Sequence, residues 1–368
     1  MVSVIVPTLN EADNLPLLVP RIAAALAGRA YEIIVVDDDS ADETRAVCAR
    51  LAESYPLRLQ VRTDPKDGLS GAVLAGFGLA RGNLLAVMDA DLQHPPERLP
   101  ALLEPLERDE ADFVIGSRHA PGGTVAERWG LFRRLNSRVA TLLARPFAGP
   151  ATTDPMSGFF ALRRSTLAAA QRLTPLGYKI GLELMCKCRV KRVREVPIQF
   201  AARQHGQSKL TVTQQFRYLE HLSRLYDFTF PRLSPVVKFL IATACGWFVG
   251  FAAFLVLLRT GRGPSAAATL SYPAAILTTA TFHMRYVRTQ REFLITKSPW
   301  RDFWLISLGE WAACALAAAW IGRRVREIHD FEVFTVTYSI ATLARYVLRK
   351  ELMQDIRGLR RELRREET

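Results

Sequence analysis

The segment Leu84-Leu-Ala-Val-Met-Asp-Ala-Asp-Leu-Gln93 places two carboxylates directly after an apolar run. The run is too short for a helix and predicts a buried strand over residues 84–88. A turn at the end of this strand would let Asp89 and Asp91 approach one divalent cation, with Gln93 adding a neutral oxygen. Hard oxygen ligands of this kind suit Mg²⁺ or Mn²⁺. These three residues are therefore the candidate metal ligands.

Similar apolar runs occur on both sides of this segment. They cover residues 2–6, 33–36 and 113–115, and they are rich in Val and Ile. Helix-like stretches lie between them, at residues 15–26, 42–54, 70–80 and 96–108. This alternation predicts an α/β domain with a buried, mostly parallel sheet and helices on both of its faces.

Polar residues end three of the predicted strands, in the segments Pro7-Thr-Leu-Asn-Glu11, Asp37-Asp-Asp-Ser40 and Asp89-Ala-Asp91. Ligands of parallel sheets bind beyond the carboxyl ends of the strands, so these segments are expected to form one acidic edge. Two interpretations stay open for the first two segments. Asn10, Asn14 and Ser40 could cap helices in ordinary solvated turns. Alternatively, Glu11 and one of the three consecutive aspartates could bind a substrate.

The second half of the chain has a different pattern. Long apolar stretches predict four membrane-spanning helices, at residues 236–258, 264–284, 303–321 and 331–347. A buried helical core is the alternative. Glu310 lies inside the third stretch, where a carboxylate is either functional or paired with a polar group of a neighbouring helix. Residues 210–230 alternate apolar and basic side chains and predict a helix on the membrane surface.

Charge and the N-terminal sequence narrow the classes of partner and the location. The formal net charge of +13 is compatible with nucleic acid, anionic lipid or phosphorylated substrates. No basic stripe is interleaved with aromatic residues as a single-strand-binding groove requires, which argues against nucleic acid. The first residues have neither a basic region nor a long apolar run, so no signal peptide is predicted. The first domain and, with four spans, both termini are expected in the cytoplasm.

Several segments, taken in order, carry a resemblance to a known family. They are Pro7-Thr-Leu-Asn-Glu11, Val36-Asp-Asp-Asp-Ser40, Gly68-Leu-Ser-Gly-Ala72, Asp89-Ala-Asp-Leu-Gln-His94, Gly116-Ser-Arg118, Asp154-Pro-Met-Ser-Gly-Phe-Phe160 and Arg203-Gln-His-Gly-Gln-Ser-Lys209. In these segments the chain resembles the family-2 glycosyltransferases, and within them the polyprenyl-phosphate (dolichyl-type) mannose synthases. The likeness covers residues 1–230. The apolar stretches resemble the GtrA-type membrane domain that is fused to some members.

The resemblance implies a GT-A (Rossmann-like) fold and a metal-dependent, inverting transfer of a hexose to a polyprenyl monophosphate. The donor that it implies is GDP-mannose, and UDP-glucose is the alternative donor. A lipid-linked-sugar translocase or scaffold is the alternative that is not an enzyme. The implied partners are the nucleotide sugar, the carrier lipid and the bilayer, and a homo-oligomer is left open.

The resemblance also assigns roles to individual residues. Catalytic roles would fall to Asp89, Asp91 and Arg118. The donor would contact Pro7, Glu11, Asp37, Asp91, Gln93, Arg203 and Lys209, the last two on a loop that closes over the diphosphate. The acceptor phosphate would contact Arg118, Arg133 and Ser137, with Arg134 as the alternative to Arg133.

The predicted organisation has four parts. A catalytic domain covers residues 1–209, interfacial amphipathic helices residues 210–235, a transmembrane domain residues 236–347 and a basic tail residues 348–368. The segment Gln214-Gln-Phe-Arg-Tyr218 approaches the QxxRW motif of processive polysaccharide synthases, but Tyr218 replaces the tryptophan. We interpret this segment as part of the membrane-surface helix.

Overall fold

The structure, a computed structural model, describes residues 1–63, 65, 67–126, 131–148, 152–171, 173, 179–188, 190–201, 212–282, 299–324 and 329–353. The chain divides into two units, Met1–Leu225 and Tyr226–Thr368. The first contains the strands and the second contains helices alone among its described residues.

The strands of the first unit are β1 Val2–Thr8, β2 Tyr31–Asp37, β3 Leu57–Val61, β4 Leu84–Val87, β5 Phe113–Ser117, β6 Thr124–Val125, β7 Phe160–Arg163, β8 Val193–Pro197 and β9 Gln199–Phe200. The main sheet has the order β3-β2-β1-β4-β7-β5-β8, and β6 pairs with β9 in a separate small sheet. Within the main sheet, β7 runs antiparallel to β4 and β5 and the other pairs are parallel. The predicted mostly parallel α/β sheet is confirmed.

Helices alternate with these strands. They are α1 Leu15–Ala25, α2 Thr44–Ala52, α3 Gly68–Leu79, α4 Leu99–Glu107, α5 Leu131–Ala148, α6 Arg164–Ala168, α7 Ile180–Lys187 and α8 Val212–Thr229. The stretch predicted as a helix over residues 96–108 begins with a 3-10 turn, Pro96–Arg98, before α4 starts.

The two faces of the sheet bury different residues of the same strand. Val4 and Val6 of β1 belong to one apolar cluster with Leu18 and Ile22 of α1. Ile5 points to the opposite face, where α3 packs. A Cβ atom on Gly76 of α3 would lie 2.5 Å from Cγ2 of Ile5, so α3 approaches the strand through a position without a side chain. Helices therefore cover both faces, as the alternation predicts.

The carboxyl ends of β2, β1 and β4 lie next to one another. β1 stands between the other two, with Thr8 level with Asp37 and Ile5 level with Val87. Because the three strands are parallel, the residues that follow them emerge at one edge of the sheet. The predicted convergence of the three polar segments is thus confirmed.

The second unit contains α9 Ser234–Arg259, α10 Pro264–Phe282, α11 Pro299–Arg324 and α12 Asp330–Met353. These helices overlap the four stretches predicted to span a membrane. Two segments of the described chain are long and apolar enough to cross a bilayer, Ser234–Arg259 and Phe303–Arg324. The other two helices, as far as they are described, do not meet the same criterion. The topology of four spans stays a prediction.

Close helix packing and one buried ion pair characterise the interior of the second unit. A Cβ atom on Gly246 of α9 would lie 2.7 Å from the Tyr338 hydroxyl of α12, and small residues at such contacts are typical of membrane helices. Glu310 of α11 pairs with Arg345 of α12 at 2.8 Å, and both side chains are at most 2% exposed. Of the two interpretations of Glu310, the structure therefore supports pairing with a neighbouring helix.

Candidate active site

The end of β1 is joined to β2 and to the start of α1 by side-chain hydrogen bonds. Pro7 is buried within β1. The Thr8 hydroxyl lies 3.3 Å from Oδ1 of Asp37 on the neighbouring strand. Asn14 stands at the N-cap of α1 without a side-chain capping bond; its amide instead donates to Glu11 at 2.6 Å. This bond fixes Glu11 at the edge of the sheet. Donor binding by Pro7 and Glu11 stays a prediction.

The first of the three consecutive aspartates anchors the turn after β2. Asp37 is fully buried. Its carboxylate accepts hydrogen bonds from the Ser40 backbone N–H at 3.1 Å and from the Ser40 hydroxyl, and it lies 3.6 Å from Nε of Arg45. Ser40 thus stabilises this turn, and α2 begins later, after Glu43 at its N-cap. The donor-binding role predicted for Asp37 stays a prediction.

Arginines balance the like charges of the next two aspartates. Asp38 lies 3.3 Å from Nη1 of Arg62, and Asp39 pairs with Arg45. Burial raises the pKa of Asp38. The charge of Arg62 partly opposes this shift, and the charge of the neighbouring Asp37 adds to it. Each carboxylate of the run therefore has a cationic neighbour, which compensates their mutual repulsion.

A sharp turn follows β4 and brings the two carboxylates of Asp89-Ala-Asp91 to the same edge. β4 ends at Val87, and Leu92 has a left-handed backbone with φ of 61°. The Gln93 N–H donates to Oδ1 of Asp91 at 3.2 Å. Asp91 is buried, whereas the Asp89 side chain is 35% exposed. The turn on which the metal hypothesis depends is present.

His94 supports this turn through a hydrogen bond and a ring contact. Its Nδ1 accepts a hydrogen bond from the Asp89 N–H at 3.2 Å, and its ring stacks on Phe159 at 5.3 Å between centroids. Burial lowers the pKa of His94 to about 4, so the ring is neutral at physiological pH. Because Nδ1 acts as an acceptor toward the backbone, His94 orients the turn.

Across the edge, Arg118 and Asp154 form a two-point ion pair. Arg118 directly follows β5, and its Nε and Nη2 lie 2.7 Å from the two carboxylate oxygens of Asp154. The Arg118 N–H donates to the same carboxylate at 3.1 Å, and its guanidinium lies 5.1 Å from the centre of the Phe200 ring. Burial alone would raise the pKa of Asp154, but the hydrogen bonds and the charge of Arg118 lower it. Arg118 is thus held in one orientation.

The loop of residues 154–158 connects this ion pair with the turn after β4. The Ser157 hydroxyl donates to the Gly116 carbonyl at 2.7 Å, which ties the loop to β5. A Cβ atom on Gly158 would lie 3.1 Å from Oδ2 of Asp89. The loop therefore approaches the candidate metal ligand closely at its glycine.

Lys179, the residue before α7, contacts the same loop. Its ammonium donates to the Met156 carbonyl at 2.6 Å. Burial, and then the positive charge of Arg118, lower the pKa of Lys179 to about 8, and Asp89 and Asp154 partly oppose this shift. Lys179 therefore belongs electrostatically to the group that contains Arg118, Asp89 and Asp154.

The chemistry of the turn fits a divalent cation. Asp89, Asp91 and Gln93 supply oxygen atoms from one short segment, and Mg²⁺ is commonly held by one or two carboxylates together with substrate phosphates. Among the described residues, no group of three or more His, Cys, Asp and Glu side chains converges as a complete metal cage. A cation at this turn would take its remaining ligands from water or from a bound molecule.

Several predicted site residues lie outside the described part of the chain. They are Arg203 and Lys209, together with the side chains of Arg133, Arg134 and Ser137, whose backbone belongs to α5. The nearest described residue to the predicted diphosphate loop is Ala201. Its N–H donates to the Gln93 carbonyl at 3.0 Å, and the Gln93 amide donates back to the Ala201 carbonyl at 3.2 Å.

The sequence pattern assigns no role to three residues that the structure brings to the site. Asp154 and His94 stand inside two of the segments that carry the family resemblance, and this position was the available signal. Lys179 stands outside all of those segments. Its partner is a backbone carbonyl, which leaves no trace in a pattern of side chains.

Comparison with known proteins gives a consistent family. Residues 3–169 match the model described as glycosyl transferase family 2. The dolichol-phosphate mannosyltransferase of Pyrococcus furiosus is 44% identical over 248 residues, which cover 67% of this chain and 69% of that protein. The polyprenol monophosphomannose synthase of Mycolicibacterium smegmatis is 41% identical over 217 residues, 56% of this chain and 80% of that protein. The matched region contains the ends of β1, β2 and β4.

A solved structure is similar at a lower level. It is glucosyl-3-phosphoglycerate synthase from Mycobacterium tuberculosis in complex with Mn²⁺, UDP and glucosyl-3-phosphoglycerate. The two chains are 19% identical and superpose with a TM-score of 0.47. The match covers 62% of this chain and 79% of that one. A likeness at this level supports no inference about ligands.

Proposed function

Because the chain belongs to glycosyltransferase family 2, we propose that it transfers mannose from GDP-mannose to a polyprenyl monophosphate. The product is a lipid-phosphate-mannose with inverted configuration at the anomeric carbon. One observation carries the proposal: Asp89, the first carboxylate after β4, interacts electrostatically with Arg118, which Asp154 holds at two points. The names and identities of the two relatives support mannose as the sugar and a polyprenyl carrier as the acceptor.

The acceptor explains why the site holds charged residues in place of a strong base. The second pKa of a phosphate monoester is about 6, so its oxygens are largely anionic at neutral pH. One of these oxygens attacks the anomeric carbon while the bond from that carbon to the diphosphate breaks, and GDP leaves. Arg118, held by Asp154, positions the acceptor phosphate for this in-line displacement. Arg133 and Ser137 of α5 are proposed to contact the same phosphate.

The donor end of the site is proposed to lie along the three strand ends. Asp89, Asp91 and Gln93 would hold Mg²⁺ or Mn²⁺, which would neutralise the charge that develops on the departing diphosphate. Pro7, Glu11 and Asp37 would bind the nucleotide. The remaining donor contacts, Arg203 and Lys209, would close over the diphosphate.

The second unit is proposed to anchor the enzyme in a bilayer. Ser234–Arg259 and Phe303–Arg324 are long and apolar enough to span it. The carrier lipid has its phosphate at the headgroup level and its chain among the acyl chains, so an anchored enzyme meets its acceptor in the membrane. We propose four spans, a GtrA-like membrane domain, and a catalytic domain and both termini in the cytoplasm.

A donor screen tests the proposed reaction. The full chain, purified in detergent or reconstituted in liposomes, is incubated with a short polyprenyl phosphate and Mg²⁺ or Mn²⁺. GDP-mannose, UDP-glucose and UDP-GlcNAc are supplied separately, and the lipid products are identified by mass spectrometry. A hexosyl-phosphate lipid from GDP-mannose alone is expected. Product from a UDP-sugar alone would replace the proposed donor, and no product from any donor would contradict the proposed reaction.

Asp89→Asn tests the metal site within the same assay. The substitution keeps the shape of the side chain but removes the charge that would bind the cation, so turnover should fall by on the order of a hundredfold. Asp13→Asn alters an exposed carboxylate and should leave turnover unchanged. Normal turnover of the Asp89 variant at saturating metal would contradict this assignment.

A further inference from the structure

Lys179 is a cationic side chain at the active site to which the proposed reaction gives no task so far. Its ammonium donates to the Met156 carbonyl at 2.6 Å. Met156 lies in the 154–158 loop, which also supplies Asp154 to Arg118 and places Gly158 against Asp89. One short loop therefore sets the positions of Arg118 and Lys179 relative to the turn after β4.

The loop that holds Lys179 is bonded to two strands of the main sheet. The Ser157 hydroxyl bonds to β5 at the Gly116 carbonyl, and the Asp154 N–H donates to the Glu195 carboxylate of β8 at 3.0 Å. Phe159, which follows the loop, is fully buried. The Met156 carbonyl therefore belongs to a loop bonded to both β5 and β8, and it offers the ammonium an acceptor at a defined position.

The charges around Lys179 favour an anionic ligand beside it. Arg118 and Lys179 repel each other in a region that is largely removed from water, and the two carboxylates near them, Asp89 and Asp154, compensate this repulsion only in part. Asp154 already binds Arg118 at two points. Asp89 also attracts Lys179, but a divalent cation at Asp89 would compete for that carboxylate. A phosphate could then interact with both basic side chains, the lysine acting as a compact point charge.

We propose that Lys179 is a second ligand of the acceptor phosphate, acting with Arg118 to hold the phosphoryl group of the carrier lipid during attack. This inference rests on the proposed function. The same chemistry could serve a donor phosphate, but the shared loop places Lys179 with Arg118. We therefore assign Lys179 to the acceptor side of the site.

Equilibrium binding and steady-state kinetics of the full chain test this assignment. The variants are Lys179→Met, which keeps the length and removes the charge, and Lys179→Arg, which keeps the charge. Lys191→Met, at an exposed lysine, is the matched control. Binding of a short polyprenyl phosphate is measured with GDP and Mn²⁺ already bound, and GDP binding is measured with Mn²⁺ alone. The KM values for acceptor and for GDP-mannose are determined separately, and thermal unfolding checks that each variant is folded.

The expected result is a selective loss on the acceptor side. Lys179→Met should raise the acceptor Kd and KM by about tenfold or more, as removal of a charged hydrogen bond does. GDP affinity and the donor KM should stay within about twofold, since ordinary surface changes cause no more. Lys179→Arg should recover much of the acceptor affinity, and Lys191→Met should match the unaltered chain.

Three outcomes would overturn the inference. They are an unchanged acceptor Kd in folded Lys179→Met, an equal loss of donor and acceptor affinity, and a loss of GDP affinity alone. Failure of the proposed function is distinguishable from these. In that case the unaltered chain itself forms no mannosyl lipid from GDP-mannose or does not bind polyprenyl phosphate.

Discussion

Arg118 and Asp154 are bound at two points, with 2.7 Å from each of two guanidinium nitrogens to a carboxylate oxygen. The Asp154 side chain is 1% exposed and that of Arg118 14%. A pair so far removed from water fixes the direction of its arginine, but it makes the arginine costly to leave alone.

The first prediction concerns Asp154, the counter-charge of Arg118. Asp154→Asn should destabilise the first unit by about 3 kcal/mol, because breaking a buried ion pair leaves an uncompensated charge. It should also weaken binding of polyprenyl phosphate, since Arg118 loses its orientation. Thermal unfolding and acceptor binding measure the two effects. Glu104→Gln, which breaks an exposed ion pair between Glu104 of α4 and Arg108 at the C-cap of that helix, should change neither. Equal behaviour of the two variants would contradict the prediction.

The second prediction concerns the glycine that touches Asp89. In Gly158→Ala the new Cβ atom would lie 3.1 Å from Oδ2 of Asp89, so the carboxylate must shift by a few tenths of an ångström. Changes that displace a metal ligand in this way typically weaken metal binding by about tenfold. The Mn²⁺ concentration needed for half-maximal GDP binding should therefore rise. Titration of Mn²⁺ at fixed GDP measures it.

Gly78→Ala is the matched control for this substitution. Gly78 lies in α3, and a Cβ atom there would have no neighbour within 4 Å. Alanine in a helix is more stable than glycine by about 0.5–1 kcal/mol. The control should thus be slightly more stable than the parent with unchanged Mn²⁺ dependence. If Gly158→Ala also bound Mn²⁺ normally, the close contact with Asp89 would have no functional consequence.

These contacts also show which parts of the site could be predicted from sequence. The positions of Asp89 and Asp91 at the sheet edge follow from a local pattern, an apolar run that ends in carboxylates. The pairing of Asp154 with Arg118 depends on a contact between residues 36 positions apart, which no periodicity records. The place of Lys179 is still harder to predict, because its ammonium donates to a backbone carbonyl, that of Met156.

The sheet shows the same division between local and long-range information. β1 and β2 are Val- and Ile-rich runs whose burial is evident from composition. β7, Phe160–Arg163, is short, and the sequence pattern does not predict it as a strand. It inserts antiparallel between β4 and β5, with Phe160 level with Val87. Such an insertion is specified by tertiary contacts and not by the β-propensity of four residues.

The third prediction concerns acid stability. Glu32 of β2 accepts hydrogen bonds from the Ser3 hydroxyl, the Arg81 N–H and Arg58, each at 2.6 Å. Burial alone would raise the pKa of Glu32, but these bonds lower it. A carboxyl with a lowered pKa in the folded state contributes stability above its unfolded pKa, about 4.3. This contribution is lost as the pH falls through the folded value.

Glu32→Gln should therefore lower the midpoint of urea unfolding at pH 7 and reduce the difference between pH 7 and pH 4. The measurement is urea unfolding of the full chain at both pH values, followed by the fluorescence of Trp129 in a background whose other tryptophans, all in the second unit, are replaced by phenylalanine. Glu110→Gln changes an exposed carboxylate and should retain the acid dependence of the parent. An unchanged pH dependence in the Glu32 variant would show that other carboxylates govern acid unfolding.

The fourth prediction concerns function and pH. The groups that face Lys179 electrostatically among the described residues are Arg118, Asp89, Asp154 and His94. Since the pKa of Lys179 is lowered to about 8, its positive charge is present below that pH and is lost above it. Acceptor affinity should thus fall as the pH rises from 7 to 9. Lys179→Arg should remove this fall, because arginine stays charged.

The last prediction concerns the ion pair inside the second unit. Glu310 and Arg345 join α11 to α12 at 2.8 Å, and Arg345 also lies 3.5 Å from the Tyr272 hydroxyl of α10. Removing one partner of a buried pair leaves a lone charge and typically costs about 3–5 kcal/mol, whereas apolar replacement of both is often neutral. Glu310→Leu and Arg345→Leu should therefore each lower the unfolding temperature in detergent.

The double variant, with leucine at both positions, should recover most of the loss, and a double-mutant cycle measures the coupling. Donor binding in the first unit should be unchanged in all three variants, since neither residue belongs to the proposed active site. If the double variant were as unstable as either single one, mutual neutralisation would not explain the pair. The contact of Arg345 with Tyr272 would then be the interaction that α12 requires.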